Sequence, residues 1–193
     1  MMPLVLQWND PLPQRPRRVL IAGTTGVGKS TLGRKLQQQW AIPYTEMDAL
    51  HHGPNWTTRP SFAADVAELA AQQEWVTEWQ YWGHGMKHVV GDGADTLIWL
   101  NFPRPLALQR LLRRTISRSI TKEPMWAGNV EPPLRKVFTQ EDHILRWEMK
   151  THSMWRERMP RIEEEFPQLS IVHLRTPRQV RRWLRGPAAQ PPR

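Results

Sequence analysis

The stretch Gly23-Thr24-Thr25-Gly26-Val27-Gly28-Lys29-Ser30 fits the spacing G-x-x-x-x-G-K-S with no position out of place. It joins two segments of different period. The apolar run R-V-L-I-A-G, residues 18–23, leads straight into the loop; T-L-G-R-K-L-Q-Q-Q-W, residues 31–40, leaves it with Leu32, Leu36 and Trp40 at i, i+4 and i+8. This is a strand, a glycine turn and an amphipathic helix. Glycines in such a turn let backbone N–H groups converge on an anion at the positive end of the following helix. Gly23, Thr24, Thr25, Gly26, Val27, Gly28, Lys29, Ser30 and Thr31 are the candidate phosphate-binding residues.

The alternation continues down the chain. I-P-Y-T-E-M reads as a second extended piece ending at Asp48, followed by a loop containing His51 and His52. S-F-A-A-D-V-A-E-L-A-A-Q-Q reads as a helix with Phe62, Val66 and Leu69 inward. E-W-V-T-E-W and D-T-L-I-W-L-N-F are further strands, and the helix opened by Pro105 carries Leu108, Leu111, Leu112 and Ile116 on its expected buried side. A segment rich in Pro, Gly and Asn follows, from Thr121 to about Pro133. Beyond it lies a long helical stretch expected to break or kink near Pro160, a last strand L-S-I-V-H-L and a closing helix. Strands alternating with helices imply a three-layer α/β fold around a parallel central sheet. Crossover handedness then gathers the loops after the strands along one sheet edge. The Pro-rich ends, residues 1–17 and 186–193, are expected to be mobile.

A triphosphate at this loop sets the roles of its neighbours. Lys29 reaches the β and γ phosphates, and the Ser30 hydroxyl holds Mg²⁺. Magnesium also needs a carboxylate, and Asp48 and Glu78 are the candidates, each close behind a strand. Either could instead orient or deprotonate an acceptor hydroxyl. Arg110, Arg113, Arg114 and Arg118 form one basic stripe at i, i+3, i+4 and i+8, able to clamp a transferring phosphoryl group or simply to solvate a helix face. Arg146, Lys150 and Arg156 pose the same choice on the next helix. His84 and His88 share a spacing that can hold zinc, but no third ligand accompanies them. Tyr81, Trp56, Trp79 and Trp82 are candidates for the wall of an acceptor pocket or for ordinary core packing.

Composition narrows the classes. With 193 residues the chain has room for one core. It has no cysteine, so disulfide frameworks and thiolate metal sites are excluded. No stretch has the apolar length of a membrane span or of a secretory signal, and a cytoplasmic location is expected. The formal charge of +9 suggests a polyanionic partner, which ATP or nucleic acid would satisfy.

The ordered series E-M-D-A-L, W-V-T-E-W-Q-Y, A-D-T-L-I-W-L-N-F-P-R, E-P-M-W-A-G-N-V-E, F-T-Q-E-D-H-I-L-R-W and I-V-H-L-R-T-P-R-Q-V-R-R-W-L resembles the P-loop kinase-like proteins known as DNA topology modulation proteins, which are similar to adenylate kinases. The resemblance runs from about Arg18 to Leu184, and the element Trp126, Gly128, Asn129, Glu131 is its most specific part. It implies a P-loop NTPase domain over residues 18–185, adenylate-kinase-like, with an acceptor-side helical insert at about 57–72 and a helical lid at about 115–139. It further implies that Asp48 contacts the acceptor or a metal-bound water, that Arg110, Arg114 and Arg118 touch phosphates, and that Arg175 and Thr176 lie beside the adenine. Where relatives read W-V-I-D-G-N-Y, this chain has Glu78 for the acid and Trp79 for the glycine. An indole there fills space that a ligand could otherwise use. The basic residue expected after the tyrosine is displaced, with Lys87 or His88 nearest.

The reading that follows is a kinase transferring the γ-phosphoryl group of Mg-ATP to a small molecule, a nucleotide or a hydroxylated metabolite. The alternative is a nucleotide-dependent nucleic-acid-binding or regulatory protein with little turnover. Oligomeric state is not encoded in any pattern found.

Overall fold

The computed structural model describes residues 4–130 and 153–192. Six strands form one parallel sheet in the order β1-β6-β5-β2-β4-β3. They are β1 Leu4–Leu6, β2 Arg18–Gly23, β3 Tyr44–Thr45, β4 Trp75–Glu78, β5 Thr96–Leu100 and β6 Ser170–Leu174. The helices are α1 Lys29–Trp40, α2 Met47–His51, α3 Phe62–Ala71, α4 Met86–Gly91, α5 Arg104–Thr121, α6 Met154–Glu165 and α7 Pro177–Arg185.

Strand residues alternate between two cores, as the pleat requires. Leu20, Ala22, Leu97 and Trp99 face a layer made by α3, α4 and α6. Val19, Ile21, Ile98 and Leu100 face the other, made by α1 and α7. The central strands are therefore apolar on both faces, and the expected three-layer α/β fold is what forms. In register, Ile21 pairs with Glu78 and Gly23 with Leu100, so β2 and β4 deliver the glycine loop and Glu78 to the same sheet edge.

Three expectations need correction. Residues 4–6 are an edge strand on β6, with Leu6 and Leu12 buried, because the sheet edge and the α1–α7 core offer them both hydrogen bonds and apolar cover. The C-terminal segment is likewise anchored: Ala188 is buried, and its carbonyl accepts from the Trp40 indole N–H at 2.8 Å. On α5 the buried face is Ala107, Leu111 and Thr115, whereas Leu112 and Ile116 are exposed. The helix is turned by its contact with the loop, since Gly26 sits against Ala107 and Leu111. Of the break or kink expected near Pro160, the break does not occur, and helix α6 runs through the proline. Of the expected lid, 115–121 is the end of α5 and 122–130 holds one short turn, Trp126–Gly128; residues 131–139, with Glu131, lie outside the described residues, as do Arg146 and Lys150.

Candidate active site

The glycine loop leaves β2 and closes on the first turn of α1. Gly23, Gly26 and Gly28 have φ of 147°, 84° and 99°. A Cβ at Gly23 would stand 2.7 Å from the Leu100 carbonyl oxygen, and one at Gly26 2.8 Å from that of Ala107. Both positions combine a conformation and a closeness that only glycine meets. Lys29 is buried inside the loop, its Nζ donating to the Gly23 carbonyl at 3.1 Å and the Thr24 carbonyl at 3.3 Å. Burial lowers its pKa, while Glu78 and Asp48 act to keep its charge. An anion entering the loop would give this ammonium the partner it lacks among the carbonyls.

Glu78 ends β4 almost fully buried. Its Oε1 accepts from the Ser30 hydroxyl at 2.8 Å and from the Tyr44 hydroxyl at 3.0 Å, while its Oε2 is buried without a hydrogen-bond partner among the described residues. Desolvation raises its pKa and Lys29 opposes the shift. A buried carboxylate with one unsatisfied oxygen, beside a serine hydroxyl at a phosphate loop, fits a hard cation. Tyr44 reaches it because Gly33 of α1 has no side chain: a Cβ there would lie 2.3 Å from the tyrosine ring. Among the described residues no group of three or more His, Cys, Asp or Glu is placed to hold a metal by itself.

Asp48 faces the same cleft from the first turn of α2. Its Oδ1 accepts from the Tyr81 hydroxyl at 2.6 Å, and that hydroxyl lies 3.3 Å from His52 Nε2. His51 stacks on Tyr81 with ring centroids 4.0 Å apart, and burial pushes its pKa down to about 4. Beyond them stands an aromatic wall. Trp126 stacks on His52 at 5.5 Å, Trp56 meets His52 edge-on at 5.1 Å, and Arg158 lies over Trp82 at 4.2 Å. Asn55, Trp56, Tyr81 and Ala127 all have φ between 54° and 60°. Each such non-glycine residue costs about 1–2 kcal/mol, so four around one wall indicate that the backbone is held there by its surroundings. Buried Asn129 does part of the holding: it accepts from the Trp56 N–H at 3.1 Å and donates to the carbonyls of Gly53 and Trp126, both at 2.8 Å.

Of the α5 stripe, Arg110, Arg114 and Arg118 line the cleft and Arg113 does not. Arg110 donates to the Val27 carbonyl at 3.1 Å, bracing the loop. The expected adenine-side pair follows β6, next to a stretch of the cleft wall. Arg175 is exposed, and Thr176 caps α7 by accepting from the Gln179 N–H; the cleft wall in that region is Pro177, Val180 and Arg181. Lys87 and His88 pair with Glu165 on the surface and do not line the cleft. His84 and His88 are not on one helix, because Gly85 is left-handed between them. Trp79 packs in the core against Phe166 and Trp155, its N–H donated to the Lys87 carbonyl.

Sequence reasoning missed Arg158 and Trp126 as parts of this wall, and Tyr44 as a donor to Glu78. No spacing marks them, although the run of tryptophans in so short a chain was a signal of a built aromatic surface. The cleft that all these residues share has a volume of about 1790 Å³. Single small-molecule sites occupy about 300–1,000 Å³, so there is room for two ligands.

Solved structures share this fold. A gluconokinase from Sinorhizobium meliloti 1021 superposes with a TM-score of 0.53 at 19% identity, over 91% of this chain and 93% of that one. A shikimate kinase from Acinetobacter baumannii, in complex with shikimate, superposes with a TM-score of 0.53 at 16% identity, over 89% of this chain and 91% of the other. The likeness is one of fold, a three-layer α/β domain with a glycine loop after β2. No protein-family model matches the chain, and no curated protein matches it in sequence. Among the described residues no helix is long and apolar enough to cross a membrane.

Proposed function

We propose that the chain is an ATP-dependent phosphotransferase that moves the γ-phosphoryl group of ATP to a hydroxyl of a small molecule. The observation that carries this reading is one cleft with two unlike walls: a glycine loop around Lys29, and an Asp48 carboxylate already bonded to Tyr81. Bound Mg-ATP supplies the phosphoryl group and neutralises part of the charge that develops on it.

The two carboxylates divide the work. Glu78 sits with Ser30 and would share the cation with it. Asp48 sits with Tyr81 and His52 and would orient the acceptor hydroxyl and take its proton. Lys29, Arg110, Arg114 and Arg118 would hold the phosphate oxygens and stabilise their charge. Exclusion of water by the aromatic wall would favour transfer over hydrolysis. The likeness in sequence pattern to the DNA topology modulation proteins, and in fold to small-molecule kinases, supports the same class; a cytoplasmic setting goes with it.

The test is ADP release from Mg-ATP with nucleoside monophosphates and hydroxylated metabolites added singly, beside Lys29→Ala. A rise with one acceptor that Lys29→Ala abolishes is the expected result. ATP binding with a flat panel would overturn the reading in favour of a regulatory or nucleic-acid-binding protein.

A further inference from the structure

We infer that the phosphate acceptor is a hydroxylated molecule with a flat, apolar ring body, seated against the indoles of Trp56 and Trp126 with its hydroxyl toward Asp48. This rests on the kinase reading above and names the substrate class of the same site.

The first argument is the surface the wall presents. Trp56 is 37% exposed and Trp126 is half-buried, so their faces are not consumed by the core as that of Trp79 is. An aromatic face is matched best by another flat or ring-shaped apolar surface. Their positions are also enforced. Trp56 is itself left-handed, Ala127 beside Trp126 is left-handed, and Asn129 ties the Trp56 loop to the Trp126 turn through three hydrogen bonds. Chance surface tryptophans need no such fixing.

The second argument is charge. Asp48 Oδ1 is occupied by the Tyr81 hydroxyl, and a carboxylate is an acceptor-only group. It can receive an acceptor O–H, and it repels an acceptor phosphate. Arg158 lies with its guanidinium 4.2 Å over Trp82, which commits its flat side to the indole and leaves its N–H edge for one carboxylate-type substituent of the ligand. In the reaction the acceptor oxygen bonds to the γ phosphorus and the bond from that phosphorus to the β-phosphate oxygen breaks. The hydroxyl proton passes to Asp48 and then to solvent, leaving ADP and a phosphate monoester.

The experiment uses the full chain with saturating Mg-ATP and three acceptor arms: nucleosides and ring alcohols with and without a carboxylate, nucleoside monophosphates, and open-chain sugar acids. Expected is ADP release with a member of the first arm, with Trp126→Ala and Trp56→Ala each raising its KM by about tenfold while kcat and ATP affinity stay near wild type. Trp126→Phe, which keeps a ring face, should recover most of the affinity even if the alanine variant folds poorly. Turnover confined to either of the other arms, or ring acceptors whose KM ignores both tryptophans, overturns this inference and leaves the kinase standing. No turnover in any arm, with Lys29→Ala indistinguishable from wild type, removes the kinase reading and this inference with it.

Discussion

The loop of the phosphate wall is one unbroken segment, Gly23 to Thr31, with Glu78 and the α5 arginines beside it, whereas the opposite wall is assembled from Asp48, His52 and Trp56, from Tyr81 and Trp82, from Trp126, and from Arg158. The first is made mostly of backbone. Its anion-binding groups are N–H dipoles at a helix start, and the sequence needs only to supply glycines where side chains would collide. The second is made of side chains whose chemistry depends on which ring each one meets. One wall can therefore be shared by many kinases, while the other carries what is individual to this chain.

If the walls differ in this way, breaking each should give a different kinetic signature. The largest effect is expected for Lys29→Ala, which removes the charge at the centre of the loop: a fall in kcat on the order of 10³-fold, read as ADP release with any acceptor. A residual rate within a few-fold of wild type would mean that the loop binds without catalysing. Next is Asp48→Asn, with a loss of about 10²-fold in kcat and little change in ATP affinity by calorimetry. Glu78→Gln sharpens the contrast. It should raise the Mg²⁺ concentration for half-maximal rate by about tenfold, an effect Asp48→Asn should not share. Equal magnesium dependence in the two variants would end the division of labour.

Gly33→Ala probes the seam between the walls. The new methyl would meet the Tyr44 ring at 2.3 Å, and Tyr44 is one of the two donors to Glu78 Oε1. We expect a loss of about 1–3 kcal/mol in urea unfolding, accompanied by a weaker response to Mg²⁺. Loss of stability with an unchanged magnesium response would separate packing from the site.

What the chain revealed before folding follows the same line. The glycine loop, α1 and the apolar strands were legible because each is a local pattern: a spacing, a helical period or a continuous apolar run. Asp48 and Glu78 were legible as acids behind strands, but not their separate partners, because Tyr81 is 33 residues from Asp48 and Tyr44 is 34 residues from Glu78. Arg158 was invisible for the same reason. The ends were misread since Pro-rich composition says nothing about a vacant sheet edge that Leu4–Leu6 can join. The face of α5 was misread since its apolar residues outnumber those that the loop at Gly26 lets inward.

The smallest expected effect is on stability against pH, where the two walls have opposite signs. His51, packed between Tyr81 and Phe62, has its pKa pushed from 6.5 down to about 4 by burial and by His52 and His84, with Asp48 opposing. Its unfolded form binds a proton first, so its contribution is complete above pH 6.5 and is lost as pH falls toward 4. His173, stacked on Trp99 outside the cleft and likewise lowered to about 4, adds to the same slope. Glu78 is raised above 4.5, so its contribution is present below that pH and is lost as pH rises through its folded value. Wild type should thus show a partly cancelled dependence of Tm between pH 4 and 6.5. Glu78→Gln should steepen the fall toward acid, and His51→Gln should flatten it, with the slope and not the absolute Tm as the readout. Parallel slopes in the two variants would mean that neither group titrates as its wall requires.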